Sequence, residues 1–349
     1  MAKLLAHARY IIGALALVFA VAVAAPALAQ QPSQVNPTAS SVNEQKLLDA
    51  LRAPGPVGGG TIGGRVSIPD AKSGTLIQPA GLNWRQFHEV TLRWIGAIAI
   101  LGMLALLVVF YLVRGMVRIE AGRSGRTLVR FSAFERFVHW MTAASFVVLA
   151  LSGLNITFGK ELLTPLIGPV AFAEWSQWAK YAHNYLSFPF TLGVVLMFLM
   201  WLAWNFPSAA DFRWLAQGGG IVGSKHPPAK RFNAGQKVIY WVVVLGGGAA
   251  AITGYLLMFP FYATAVGGYT VGTTDIAAVQ LAQMVHGIVG LLFIAIMLAH
   301  IYIGTVGMQG AFEAMGRGEV DVNWARQHHS LWLEKEAQKG HVRGSAPAE

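Results

Sequence analysis

Apolar runs separated by polar or basic stretches recur through the chain from position 93 onward, at 93–113, 137–157, 184–204, 238–258 and 284–306. A helix needs about twenty such residues to cross the roughly 30 Å hydrocarbon core of a bilayer, and each run is long enough. The pattern predicts an all-α membrane protein, with a four-helix transmembrane core at 137–306 and one additional N-terminal transmembrane helix at 93–113. Composition agrees: 55% of residues are hydrophobic, 12% are charged, and mean hydropathy is +0.51.

The start of the chain follows another pattern. Lys3 and Arg9 precede an apolar stretch from Ile11 to Ala25, and Ala27-Leu28-Ala29 follows. This predicts a cleavable signal peptide at 1–29. The competing reading, a retained span, needs a run of about twenty residues and finds a shorter one. Residues 30–92 are polar and broken by Pro32, Pro37, Pro54, Pro56, Pro69 and Pro79, which predicts an irregular segment. Ser41 and Glu44 have capping-box spacing ahead of Leu47, Leu48 and Leu51, so a short helix at 41–52 is expected inside it.

Charge sets the expected orientation. Residues 114–136 hold Arg114, Arg118, Arg123, Arg126, Arg130 and Arg136; residues 205–237 hold Arg213, Lys225, Lys230, Arg231 and Lys237; residues 259–283 hold no Lys or Arg. The positive-inside rule makes the two basic loops cytoplasmic, puts 30–92 in the periplasm and leaves the 307–349 tail in the cytoplasm. The expected location is a bacterial inner membrane, with lipid as surroundings. A pI of 9.9 and net charge of +10 could suggest nucleic acid, but the basic residues gather at the ends of apolar runs and form no aromatic-interleaved stripe. With no cysteine, thiolate-ligated clusters, disulfides and covalently attached haem are excluded from this chain.

Within this frame the histidines carry the chemistry. His286 and His300 lie fourteen residues apart on one run, about 21 Å along a helix and on nearly the same face. By depth, His139 pairs with His300 at the cytoplasmic side and His183 pairs with His286 at the periplasmic side. A lone membrane histidine is more often an interhelical hydrogen bond or an interfacial residue. Four that pair by depth read instead as axial ligands of two b haems, both bonds to each iron coming from protein. Gly153, Gly287, Gly290 and Gly304 stand near them and offer room for a flat macrocycle, though glycine is also common at plain helix contacts. His7, His88, His226, His328, His329 and His341 read as solvated.

Several stretches resemble the gamma subunit, a cytochrome b, of membrane-bound respiratory formate dehydrogenases. They are Arg136-Phe137-Val138-His139-Trp140, Tyr181-Ala182-His183, Arg231-Phe232-Asn233-Ala234-Gly235-Gln236-Lys237, Met284-Val285-His286-Gly287, Ala299-His300-Ile301-Tyr302, then Trp324 and His328-His329. The likeness covers about residues 130–335. It implies a four-helix cytochrome b core whose haem iron ligands are His139, His183, His286 and His300. It also implies partners: a periplasmic catalytic subunit with molybdenum or tungsten, an iron–sulfur subunit, and quinone as acceptor at the cytoplasmic side. This chain itself would oxidise no formate. Asn233, Gly235 and His300 become quinone contacts by the same likeness; the alternative for Asn233 is a helix cap. The segments at 1–113 are additional to the family's simplest pattern and suggest docking to the partners. Two other functions stand beside this one. A hydrogenase cytochrome shares the histidine layout but not the Asn-Ala-Gly-Gln-Lys segment, and a haem-free anchor or transporter fits poorly with spans almost free of Asp, Glu, Lys and Arg.

Overall fold

The computed structural model describes residues 79–220, 225–266 and 269–340. The expected signal peptide, most of the 30–92 segment and the helix expected at 41–52 lie outside the described residues. Among the described residues, five helices are long and apolar enough to cross a membrane. The first three are α1 (Gly81–Arg114), α2 (Ala133–Leu162) and α3 (Pro169–Trp204). A short helix, α4 (Ala209–Ala216), comes next, followed by α5 (Ala234–Met258), a hairpin of β2 (Ala263–Val266) and β3 (Tyr269–Gly272), and α6 (Ile276–Gly307).

Each long helix outruns its apolar stretch. Among the described residues, helix already runs from Pro79, so residues 79–92 are not the end of an irregular segment as their polarity suggested. Hydropathy marks only the part of a helix that meets lipid. The polar extension has its own support: proline fits the first turn, and Arg85 and Glu89 form a 3.2 Å pair one turn apart. Starts elsewhere are written in side chains. Ser132 with Glu135 and Asn233 with Gln236 form reciprocal capping boxes before α2 and α5, and Asp275 accepts from the Ala277 amide before α6.

α2 packs along α3, while α6 is flanked by α1 and α5. Two glycines let α1 and α6 approach closely. A Cβ at Gly96 would fall 2.8 Å from Leu291 Cδ1, and one at Gly287 would fall 2.6 Å from Leu92 Cδ2. Gly287 therefore receives a leucine from α1 instead of making room for a macrocycle. In lipid, where apolar burial adds little between helices, such small-residue contacts carry the packing.

The most completely buried apolar cluster lies at the end where α2 and α5 begin. Residues 127–129 form β1 (Thr127–Val129), which pairs antiparallel with β4 (Glu319–Asp321). Helices α7 (Ala311–Gly316), α8 (Val322–His328) and α9 (Ser330–Gln338) complete a cap. Leu128, Phe131, Val138, Val320, Trp324 and Trp332 are all buried there. Neither the 114–136 loop nor the tail at 307–340 is simply a connecting segment.

The cap corrects the reading of two histidines as solvated. His328 is buried and His329 is 1% exposed. The His329 Nδ1–H donates to the Lys230 carbonyl at 2.8 Å, and Nε2 accepts from Arg130 Nη2 at 3.1 Å. Arg130 is itself buried, its guanidinium stacked against Trp324 and Trp332 at 5.4 and 4.6 Å. Burial, then the neighbouring Arg231, push its pKa down to about 9.

Candidate functional site

The structure brings the four histidines together in the two pairs expected. His139 on α2 and His300 on α6 stand with ring centres 6.3 Å apart, near the cap. His183 on α3 and His286 on α6 stand 6.1 Å apart, toward the other end of the helices. A metal–imidazole bond is about 2 Å, and ring bonds of about 1.33 Å put each nitrogen about 1.1 Å from its ring centre, so two imidazoles on opposite sides of one metal have centres about 6.2 Å apart. Both pairs match that separation.

Hydrogen bonding prepares one pair for ligation. The Ser152 hydroxyl donates to the Val148 carbonyl at 2.7 Å, so His183 Nδ1 must donate to Ser152 Oγ, at 2.8 Å. His286 Nδ1 lies 3.0 Å from the Ala250 carbonyl and 3.1 Å from Thr253 Oγ1. A carbonyl only accepts, so this nitrogen also carries the proton. In both rings Nε2 is left bare, as a metal ligand requires. His139 differs, since its Nδ1 is buried without a hydrogen-bond partner. An orphaned nitrogen of this kind is costly in an apolar setting unless something else binds it.

There is room beside the rings. Gly290 and Gly304 each lie one helical turn beyond a histidine, and a Cβ at either would meet nothing within 4 Å. Gly153 and Gly254 back the His183 and His286 rings: a Cβ would lie 3.5 Å from His183 Cε1 at the first and 3.2 Å from His286 Cε1 at the second. The donor set, the spacing and the open glycine faces fit haem b. Ser152, Thr253 and Ala250 were not singled out from sequence; a hydroxyl inside an apolar run is the signal that could have found the first two.

Asn233 sits at the N-cap of α5. Its Oδ1 accepts from the Gln236 amide at 2.9 Å, while Gln236 Oε1 accepts from the Asn233 amide at 3.1 Å. The capping role weighed from sequence is therefore present, and the Asn233 Nδ2 amide is left over. Gly235 lies against Trp214, where a Cβ would come within 3.2 Å. One turn into α5, the Lys237 ammonium is buried and donates to Asp211 Oδ2 at 2.7 Å and to the Phe206 carbonyl at 3.0 Å. Burial alone would raise the Asp211 pKa, but hydrogen bonds from Lys237 and Ser208 outweigh it and hold the carboxyl below its usual value.

Apolar helices that cross a membrane and carry matched imidazole pairs define a membrane-bound b-type cytochrome. The family model for prokaryotic cytochrome b561 matches residues 130–318, and the chain belongs to that family. Among curated proteins it is similar to the formate dehydrogenase cytochrome b556(fdo) subunit of Escherichia coli (strain K12), at 27% identity over 208 residues, 59% of this chain and 92% of that one. The nitrate-inducible formate dehydrogenase cytochrome b556(Fdn) subunit of the same strain is 24% identical over 222 residues, 62% and 95% of the two chains. The formate dehydrogenase cytochrome b556 subunit of Haemophilus influenzae is 23% identical over 228 residues, 63% and 88%. The resemblance read from the histidine-bearing stretches is thus borne out, and α1 lies outside the family match.

Proposed function

We propose that the chain is the dihaem cytochrome b membrane subunit of a formate dehydrogenase, anchoring the complex and passing electrons across the membrane to quinone. The observation that carries this reading is the pair of imidazole couples at 6.1 and 6.3 Å, with His286 and His300 on one helix fourteen residues apart. His139 with His300 and His183 with His286 would each hold a b haem, which would supply a one-electron carrier at each of two depths. Electrons enter at the His183 and His286 end, from an iron–sulfur subunit served by a molybdenum or tungsten catalytic subunit. They leave at the His139 and His300 end. The formate dehydrogenase names of the relatives support this choice of partners.

The basic loops and the absence of Lys and Arg from 259–283 support a cytoplasmic cap in a bacterial inner membrane. Electrons then move toward the negative side, against about 2.3 kcal/mol per 100 mV for each charge. A strongly reducing donor is required, and formate qualifies. At the cytoplasmic end Asn233 Nδ2, Gly235 and His300 are the proposed quinone contacts, an amide N–H being suited to a carbonyl oxygen that gains charge on reduction.

A difference spectrum of membranes holding the assembled complex tests the reading. Formate should raise a b-type α-band as large as dithionite raises. A band raised by hydrogen and not by formate would move the chain to a hydrogenase. No band with dithionite would remove the haems from the reading altogether.

A further inference from the structure

We propose that Phe146, Phe190 and Phe293 form a dry seal between the two histidine pairs, which lets electrons pass from one pair to the other while keeping water and protons from following. This deepens the transmembrane electron-transfer role proposed above and rests on it. The three residues share one register. Phe146 lies seven residues after His139 on α2, Phe190 seven after His183 on α3, and Phe293 seven after His286 and seven before His300 on α6. Seven residues are close to two helical turns, so each phenylalanine projects from the face that bears the histidine, about 10 Å along the axis. α2 starts at the cap, while α3 and α6 end there. All three positions therefore fall at one level midway between the pairs.

The rings meet at that level. Their centres are 4.9 Å apart for Phe146 and Phe293, 6.4 Å for Phe146 and Phe190, and 6.3 Å for Phe190 and Phe293. Phe190 and Phe293 are buried, with Val194 and Met297 in the same cluster. α5, which bears none of the four histidines, closes in through Gly247: a Cβ there would fall 3.3 Å from Phe190 Cζ and 3.0 Å from Val194 Cγ2. The hydroxyls near this level are engaged within their own helices. Thr142 donates to the Val138 carbonyl at 2.7 Å, Ser145 to the Met141 carbonyl at 2.8 Å and Thr191 to the Ser187 carbonyl at 2.7 Å. Residues 140–152, 184–200, 239–253 and 287–299 hold no Asp, Glu, Lys or Arg. Buried water needs polar partners, and an apolar space stays dry. A proton would need such water or a titratable side chain to cross, whereas an electron needs neither. Charge moved against the membrane potential stores free energy only if protons cannot return by the same route.

The test places the assembled complex in sealed vesicles, imposes a potassium diffusion potential with valinomycin, and reads proton entry from a trapped pH dye with no electron donor present. Phe293→Asn should raise proton entry at least about tenfold, the change that one hydrogen bond to a crossing proton makes to a barrier. Phe293→Leu removes the ring without adding a polar group and should keep wild-type permeability, because the space it leaves is apolar. Both should keep the dithionite-reduced haem spectrum. Should Phe293→Asn fail to assemble, Phe146→Ser, at the less buried edge of the layer, is read in the same way. Wild-type permeability in a polar variant that holds its haems would overturn the proposal. Equal leaks in the polar and leucine variants would overturn it too, since the layer would then be ordinary packing. Dithionite spectra of the wild-type vesicles judge the electron-transfer reading separately from the leak: a complex with no haem on this chain would sink that reading, and the seal with it.

Discussion

The Ser152 hydroxyl fixes which nitrogen of His183 is left without a hydrogen-bond partner. Its one hydrogen goes to the Val148 carbonyl, so it can only accept from Nδ1, and Nε2 is left bare. His286 reaches the same tautomer through the Ala250 carbonyl. The backbone and hydroxyls of α2 and α5 thus orient the two rings from behind. Partners of this kind typically change metal affinity about 10–100-fold when removed. Ser152→Ala is expected to shift the midpoint potential of one haem and speed its loss on detergent washing, leaving the second unchanged. Redox titration reads this directly, and two unshifted potentials would reduce Ser152 to a packing residue.

The pairing itself makes a sharper prediction. His183→Ala should leave one haem per chain and stop its reduction by formate, and His300→Ala should leave one haem that formate still reduces. Pyridine haemochrome counts with formate and dithionite spectra separate the two. Two haems retained in either variant would break the pairing.

How far the sequence reveals this molecule depends on what each feature rests on. The spans were legible because lipid demands long apolar helices, and the four paired histidines because ionisable groups are rare in such helices. The capping role of Asn233 was legible from its place before an apolar run. The cap was not. Its β1–β4 pairing joins residues about 190 positions apart, with no local periodicity to announce it. His328 ends the short helix α8 and His329 follows it, and nothing in their neighbourhood separates a buried histidine from a solvated one. The Lys237–Asp211 pair was hidden for the same reason: its partners come from different helices and look like ordinary loop charges when read singly.

Burial makes the cap sensitive to acid. His328 is pushed down to about 4 by burial, then by His226 and Arg130, with Glu120 opposing; His329 is lowered further by burial and Arg130, the Lys230 carbonyl opposing. Between about pH 4 and 6.5 the unfolded tail therefore binds more protons than the folded one, so stability rises with pH and falls on acidification. Limited proteolysis at pH 7.5 and pH 5 should cut the tail after α6 faster at the lower pH. His328→Leu should weaken that dependence, and equal rates at both pH values would contradict the argument.

The cap should also be a cooperative folding unit, because Val320 and Ala325 are fully buried between elements far apart in sequence. Trp332→Ala removes a ring that covers the Arg130 guanidinium at 4.6 Å. A loss of about 3–5 kcal/mol is expected for such a truncation. It should release α8 and α9 together, read as a single loss of protection in hydrogen exchange across 322–338. Protection that survives in either helix would show that they fold separately.

The contact between α1 and α6 can be tested because the chain has no native cysteine to interfere. Leu92 packs into the space left by Gly287, and Gly96 receives Leu291 in the same way, so the two helices interlock at two levels. Leucine at 287 would place its Cβ 2.6 Å from Leu92 Cδ2 and force the helices apart, where overpacking typically costs about 1–3 kcal/mol. A cysteine pair introduced across the Gly96 and Leu291 contact should therefore cross-link readily in the otherwise native chain and slowly with Gly287→Leu present. The haem spectrum should stay intact in both, since α1 supplies none of the four histidines. Loss of the spectrum along with the cross-link would mean that α1 supports the haem core as well as packing beside it.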